Sequence, residues 1–266
     1  MLHFVTYNHS TSNEWVTFVH GAGGNSSIWF KHIREFKKHF NVLLVDLRGH
    51  GRSKNTFQDQ INRYSFKVVS KDIIEVLDHL KIATSHFVGI SMGCILARQV
   101  AEEQPSRVKS LVLGGAVLQL DLRSQLLMRL GNIFKNFLPY MVLYKLFAFV
   151  ILPKKKHKAS RNVFINEAKK LYQKEFLKWF RLTAELNPVL KFIRTKEVNI
   201  PTLYLMGDED YLFLPAVQKI SNLHKSASLK VLPQCGHIVN IEKWKDFNQA
   251  SINFIQKVVG IAPKHL

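Results

Sequence analysis

The chain has 266 residues, 47% of them hydrophobic, which is enough for one large domain with a buried core. Its formal net charge is +19, yet no nucleic-acid motif accompanies that charge, so nucleic acid is not an expected partner. Two cysteines, Cys94 and Cys235, make no disulfide framework, so a reducing cytoplasm is the default compartment.

Met1 to Tyr7 is too short for a signal peptide and polar residues follow it. Strands are expected at Leu2 to Tyr7, Trp15 to Val19, Val42 to Asp46, His86 to Ile90, Ser110 to Gly114, Leu203 to Met206 and Leu229 to Leu232. Most are short unbroken apolar runs, as parallel strands covered on both faces require. Helical patterns lie between them. Phe66 to Leu80 puts Val69, Ile73, Val76, Leu77 and Leu80 on one face, and Ile95 to Glu103 follows the next strand. Pro215 to Leu223 opens with a first-turn proline, and Trp244 to Val258 closes the pattern. The alternation predicts an α/β fold, a doubly wound, mostly parallel sheet of about seven strands with ligands beyond the strands' carboxyl ends.

Residues 117–200 break the alternation. They read as amphipathic helices at Leu122 to Phe134, Met141 to Leu152, Asn162 to Tyr172, Glu175 to Leu186 and Val189 to Thr195, punctuated by Pro139, Pro153 and Pro188. The greasiest run, Met141 to Leu152, has twelve residues with Lys145 inside, too short to span a bilayer. Between Gln119 and Ile200 stand 17 Lys and Arg against 5 Asp and Glu, a surplus of 12 positive charges. Lys154-Lys155-Lys156-His157-Lys158 is its densest stretch. Two readings of this charge stay open: an ordinary solvated surface, or attraction to an anionic membrane or substrate.

The chemistry centres on Gly89-Ile90-Ser91-Met92-Gly93, set between an apolar strand and a helical segment. A Gly-x-Ser-x-Gly turn in that context is a nucleophile elbow, which holds a serine hydroxyl at the tip of a strained turn. Serine is a weak nucleophile at neutral pH and needs a base; His237, after the last strand, can take and return the proton. An acid should hold the imidazole in one tautomer, and Asp208, Glu209 and Asp210 follow the strand before it. His20-Gly21-Ala22-Gly23-Gly24, after a strand, can aim backbone N–H groups at an oxyanion. No His/Cys/Asp cluster has metal spacing and no Gly-x-Gly-x-x-Gly follows a strand, so no metal or cofactor is expected.

These motifs, in this order, resemble the α/β-hydrolase superfamily, and its capped small serine esterase-like branch most of all. Asp46-Leu47-Arg48-Gly49-His50-Gly51-Arg52-Ser53 adds to the likeness. Cys94 stands where the family often has a second glycine, and the family's first strand or two is expected to be missing. The resemblance implies a core at residues 1–116 and 201–266 and a helical cap at 117–200, inserted after the sixth strand of the family pattern. It places the triad on Ser91, Asp210 and His237, with Asp208 shaping the turn and Asp121 a remote alternative for the acid. Oxyanion donors are the N–H groups of Met92 and of Ala22, or of Gly23 in place of Ala22. His20 is expected to brace its loop, and Asp46, Arg48 and His50 to be structural. Trp29, Phe30 and Met92 are candidate pocket residues. The apolar cap residues Leu126, Leu127, Phe134, Phe137, Leu138, Phe147 and Phe149 suggest an acyl or aromatic ester as the small-molecule substrate. A thioesterase, a lyase or a synthase akin to menaquinone-pathway enzymes, or a ligand sensor with little turnover, are the alternatives. Dehalogenases and epoxide hydrolases of this fold carry aspartate at the elbow, so neither is expected.

Overall fold

The computed structural model describes residues 1–54, 64–135 and 137–261. β1 (Phe4–Tyr7) and β2 (Trp15–Val19) are followed by α1 (Phe30–Phe36), β3 (Asn41–Val45), α2 (Phe66–His79), β4 (Ser85–Ile90), α3 (Met92–Glu103) and β5 (Val108–Gly114). Helices then run on without a strand: α4 (Leu122–Phe134), α5 (Tyr140–Ile151), α6 (Lys158–Ala168), α7 (Gln173–Arg181) and α8 (Thr183–Thr195). Alternation resumes with β6 (Thr202–Gly207), α9 (Leu214–Leu223), β7 (Ala227–Leu232), α10 (Val239–Glu242) and α11 (Trp244–Val258).

The strands form one seven-stranded sheet in the order β1-β3-β2-β4-β5-β6-β7. Only β1 is antiparallel to its neighbour. Burial explains the unbroken apolar runs. β3, β4 and β6 are buried along their whole length, with side chains alternating between two separate cores. Val42, Leu44 and Val88 meet Phe18, Trp29, Phe36 and Phe247 beneath α1 and α11. Leu43, Val45 and Phe87 meet Val69, Ile73, Leu77 and Leu96 beneath α2 and α3. Each such side chain, fully buried, stabilises the fold by about 1.5–3 kcal/mol.

The helices begin where local chemistry starts them. Ser65 Oγ accepts the Val68 N–H at 3.1 Å and caps α2. Asp121 caps α4 in the same way, accepting the Ser124 N–H at 2.8 Å, so that carboxylate is already engaged at a helix start. Several boundaries in the insertion differ from expectation: α6 spans Lys158–Ala168 rather than Asn162 to Tyr172, α7 ends at Arg181, and α8 starts at Thr183 and runs through Pro188. An interior proline costs about 3 kcal/mol, which the burial of Leu190 and Ile193 from the same helix offsets.

The helical insertion has its own small core of Leu143, Tyr144, Ala168, Leu171, Phe176 and Phe180. Polar contacts fasten it down at several points. Trp179 Nε1 donates to Arg48 O at 2.9 Å, Tyr144 Oη to Ala22 O at 2.9 Å, and Asn25 Nδ2 to Glu167 at 2.5 Å. Tyr64 Oη donates to Glu175, whose carboxylate also meets Lys178. The basic run is not all free surface. Lys154, Lys156 and His157 converge on Glu209, and Lys156 above all holds that carboxyl down to about 2.

Candidate active site

Ser91 sits between the end of β4 and the start of α3, with φ 53° and ψ −118°. Non-glycine residues rarely adopt that backbone, and here its surroundings enforce it. The Ser91 N–H is tied to Gly114 O at 2.9 Å, and Cys94 N–H to Ser91 O at 2.9 Å. A Cβ on Gly93 would lie 2.2 Å from Val19 O, so only glycine lets α3 start this close to β2. Cys94, in the place of a second glycine, is buried; its thiol donates to Gly114 O at 3.2 Å and burial raises its pKa. Cys235 is likewise buried with its thiol pushed up by burial, so neither is poised as a nucleophile.

His237 arrives from the loop after β7. Its Nε2 lies 3.0 Å from Ser91 Oγ and its Nδ1 lies 2.8 Å from Asp210 Oδ2. The hydroxyl therefore donates to Nε2 while Nδ1–H donates to the carboxylate. Asp210 and His237 are almost fully buried, and the Phe213 ring packs tilted against the imidazole, with centroids 5.0 Å apart. Asp208 does a different job. Its Oδ1 accepts the Cys235 N–H at 3.0 Å, which locks the acid turn to the histidine loop. Glu242 supports the same loop by accepting the Gly236 N–H at 2.7 Å. Asp121 caps α4 and has no part in this chain of hydrogen bonds.

The glycine-rich loop after β2 completes the arrangement. Among the described residues, the N–H groups of Ala22 and Met92 donate to no protein acceptor, whereas Gly23 N–H donates to His50 Nε2 at 3.0 Å. Gly23 is thus engaged, leaving Ala22 as the available donor on that side. Gly23 has φ +72° and faces Tyr144, whose hydroxyl would lie 2.6 Å from any Cβ placed there. Burial keeps the Tyr144 hydroxyl protonated, so it stays a donor to Ala22 O.

Both nearby histidines brace loops. His20 Nε2 accepts the Leu47 N–H at 3.0 Å while Nδ1 donates to Gly21 O at 2.8 Å. His50 Nδ1 donates to Arg48 O at 3.0 Å. Each imidazole is thereby held in one neutral tautomer. Burial lowers the pKa of both, that of His50 to about 3. Arg48 pairs bidentately with Asp72, at 2.8 and 2.7 Å, rather than with Asp46. Asp46 instead accepts N–H groups from Ser26 and Arg52; burial raises its pKa, but these donors outweigh that and hold it low.

Ser91 and His237 open on a cavity of about 210 Å³ whose walls include Met92, Phe147, Phe164, Phe176, Trp179 and Phe180. A smaller space on their other side is lined by Ile28, Ile90, Val163, Ile238 and Ile241. Two expected pocket residues are elsewhere. Trp29 is fully buried in the core against Phe18, with ring centroids 4.9 Å apart, and Phe30 points to solvent. Of the apolar residues named for the insertion, Phe147 lines the cavity and Leu138 packs in the insertion's own core. Leu127 is half-buried away from the cavity, and Leu126, Phe134, Phe137 and Phe149 face outward. Tyr144, Trp179, Asp72 and Glu242 were not singled out from sequence, because nothing local marks their distant partners.

Comparison with known proteins adds the lineage. The sequence profile of the α/β-hydrolase fold matches residues 14–243. The chain belongs to the α/β-hydrolase family. Among its relatives is RutD of Acinetobacter baylyi, which carries the name of a carbamate hydrolase and is 26% identical over 96% of this chain and 98% of the relative. The 2-hydroxy-6-oxononadienedioate/2-hydroxy-6-oxononatrienedioate hydrolase of Comamonas testosteroni is 26% identical over 93% of this chain and 90% of its own. The structure of MenH from S. aureus shares the fold with a TM-score of 0.83 at 18% identity, covering 97% of this chain and all of that one (100%).

Proposed function

We propose that this α/β-hydrolase cleaves a carboxylic ester with an apolar acyl or aromatic group, through an acyl-enzyme. Ser91 Oγ attacks the carbonyl carbon and His237 Nε2 takes its proton. Asp210 keeps Nδ1 protonated and stabilises the imidazolium that forms. The N–H groups of Ala22 and Met92 hold the oxyanion of the tetrahedral intermediate, a contribution of roughly 3–4 kcal/mol per donor in such sites. The imidazolium returns its proton to the leaving alcohol, and a water molecule activated by the same histidine then releases the acid. The observation that carries this reading is the continuous Ser91–His237–Asp210 hydrogen-bond chain at the wall of an apolar cavity.

The lining favours an uncharged substrate over a polycarboxylate, since among the described residues no Lys or Arg borders the cavity. A series of p-nitrophenyl esters of growing acyl length tests this. Each buried methylene is worth about 0.8 kcal/mol, so kcat/KM should rise by about fourfold per methylene until the cavity is filled and then fall. Acetate as the best substrate, or no turnover of any ester, would overturn the assignment of an apolar acyl pocket.

A further inference from the structure

The outer face of the insertion is unlike the surface of a soluble domain. Apart from Lys145, α5 is apolar on every side. Leu143, Tyr144 and Phe147 turn inward, while Val142, Leu146 and Phe149 stand exposed with i, i+4, i+7 spacing. A helix apolar all round is at home where every side is covered, or in lipid. α4 repeats the pattern with Leu122, Leu126, Leu130, Ile133 and Phe134 exposed. At about 100° per residue they fall within roughly a third of the helix circumference. Phe137, just beyond the helix, is 82% exposed and Leu122 83%.

The two helices touch on their inner sides, where a Cβ on Gly131 would lie 3.2 Å from the Phe147 ring. Their outer stripes therefore flank one contact. Single exposed apolar residues are ordinary. Here nine of the eighteen large ones among the described residues fall between Leu122 and Phe149, which makes a patch.

The charge within the patch has one sign. Leu122 to Leu152 holds Arg123, Arg129, Lys135 and Lys145 and no Asp or Glu. Arg129 and Lys145 are exposed beside the stripes. Apolar stripes on two helices whose charged residues are all cationic, with Asp121 as the cap before the first of them, match an anionic bilayer surface, with apolar side chains among the acyl chains and cations at the phosphates. A second copy of this chain is a poor match, because it would bring two cationic insertions face to face.

We propose that the outer face of α4 and α5 docks this protein on an anionic lipid surface. Docking does not depend on the esterase reading. If that reading holds, docking also brings the cavity, which Phe147 and Ile151 of α5 and Met128 of α4 help to line, next to the bilayer.

Co-sedimentation of the full chain with phosphatidylcholine vesicles, with and without about a third phosphatidylglycerol, tests the proposal. Wild type and Ser91→Ala should both partition onto the anionic vesicles. The triple variant Leu126→Gln/Ile133→Gln/Phe137→Gln should lose at least about tenfold in partitioning while melting and cleaving a soluble ester like wild type. Salt at about 0.5 M should weaken binding without abolishing it, because the apolar contribution is not screened. Three results would overturn the proposal: no binding by wild type, equal binding by the triple variant, or binding abolished by salt alone. A triple variant that merely turns a dimer into a monomer, with vesicle binding unchanged, would assign the patch to self-association instead.

Discussion

Ser91→Ala should lower ester turnover by on the order of 10⁵-fold while leaving the protein folded. Alanine keeps the Cβ, so the unusual backbone at φ 53° is no more strained than with serine. What is lost is the hydroxyl 3.0 Å from His237 Nε2, the proposed nucleophile. Initial rates on a p-nitrophenyl ester, with the melting temperature as a folding control, decide the matter. A loss below tenfold in a folded variant would mean that another group performs the attack.

The acid should be identified by the contrast between Asp210→Asn and Asp208→Asn. An asparagine at 210 presents a neutral amide to Nδ1 in place of a carboxylate, which favours the wrong tautomer and leaves the imidazolium unsupported. The expected loss in kcat is about 10⁴-fold. An asparagine at 208 keeps a carbonyl oxygen able to accept the Cys235 N–H now found at 3.0 Å, so turnover should fall by less than about tenfold. The opposite ranking of the two variants would move the acid to Asp208 and require the turn after β6 to rearrange.

The features of the fold legible in the sequence are those written in local order. Short buried strands read as unbroken apolar runs, and α2 announced its buried face through Val69, Ile73, Val76 and Leu77. The elbow was recognisable because its glycines answer a local steric demand. Asp210 is preferred to its neighbours through the family resemblance alone, and the structure brings that residue within 2.8 Å of His237.

Long-range partners left no such trace. Nothing near Arg48 points to Asp72, and nothing near Tyr144 points to the carbonyl of Ala22. The insertion was hardest for a physical reason. Periodicity identifies an inward face only when the opposite face is polar, and α4 and α5 carry apolar residues on both. Hence the apolar insertion residues taken to suggest an acyl or aromatic substrate include Phe134 and Phe149, which face outward, while Trp179 and Phe180 of α7, not among them, line the cavity. Trp29 and Phe30 failed similarly: adjacent in sequence, one ends in the core and the other in solvent.

The most direct measurement is labelling with a fluorophosphonate probe followed by peptide mass mapping, on wild type, Ser91→Ala and His237→Ala. An activated serine displaces fluoride from phosphorus, whereas a serine without its base does not. Wild type should carry one adduct, mapped to Ser91, and neither variant should carry any. An adduct on another residue, or no adduct on the folded wild-type protein, would contradict the assignment of Ser91 as nucleophile.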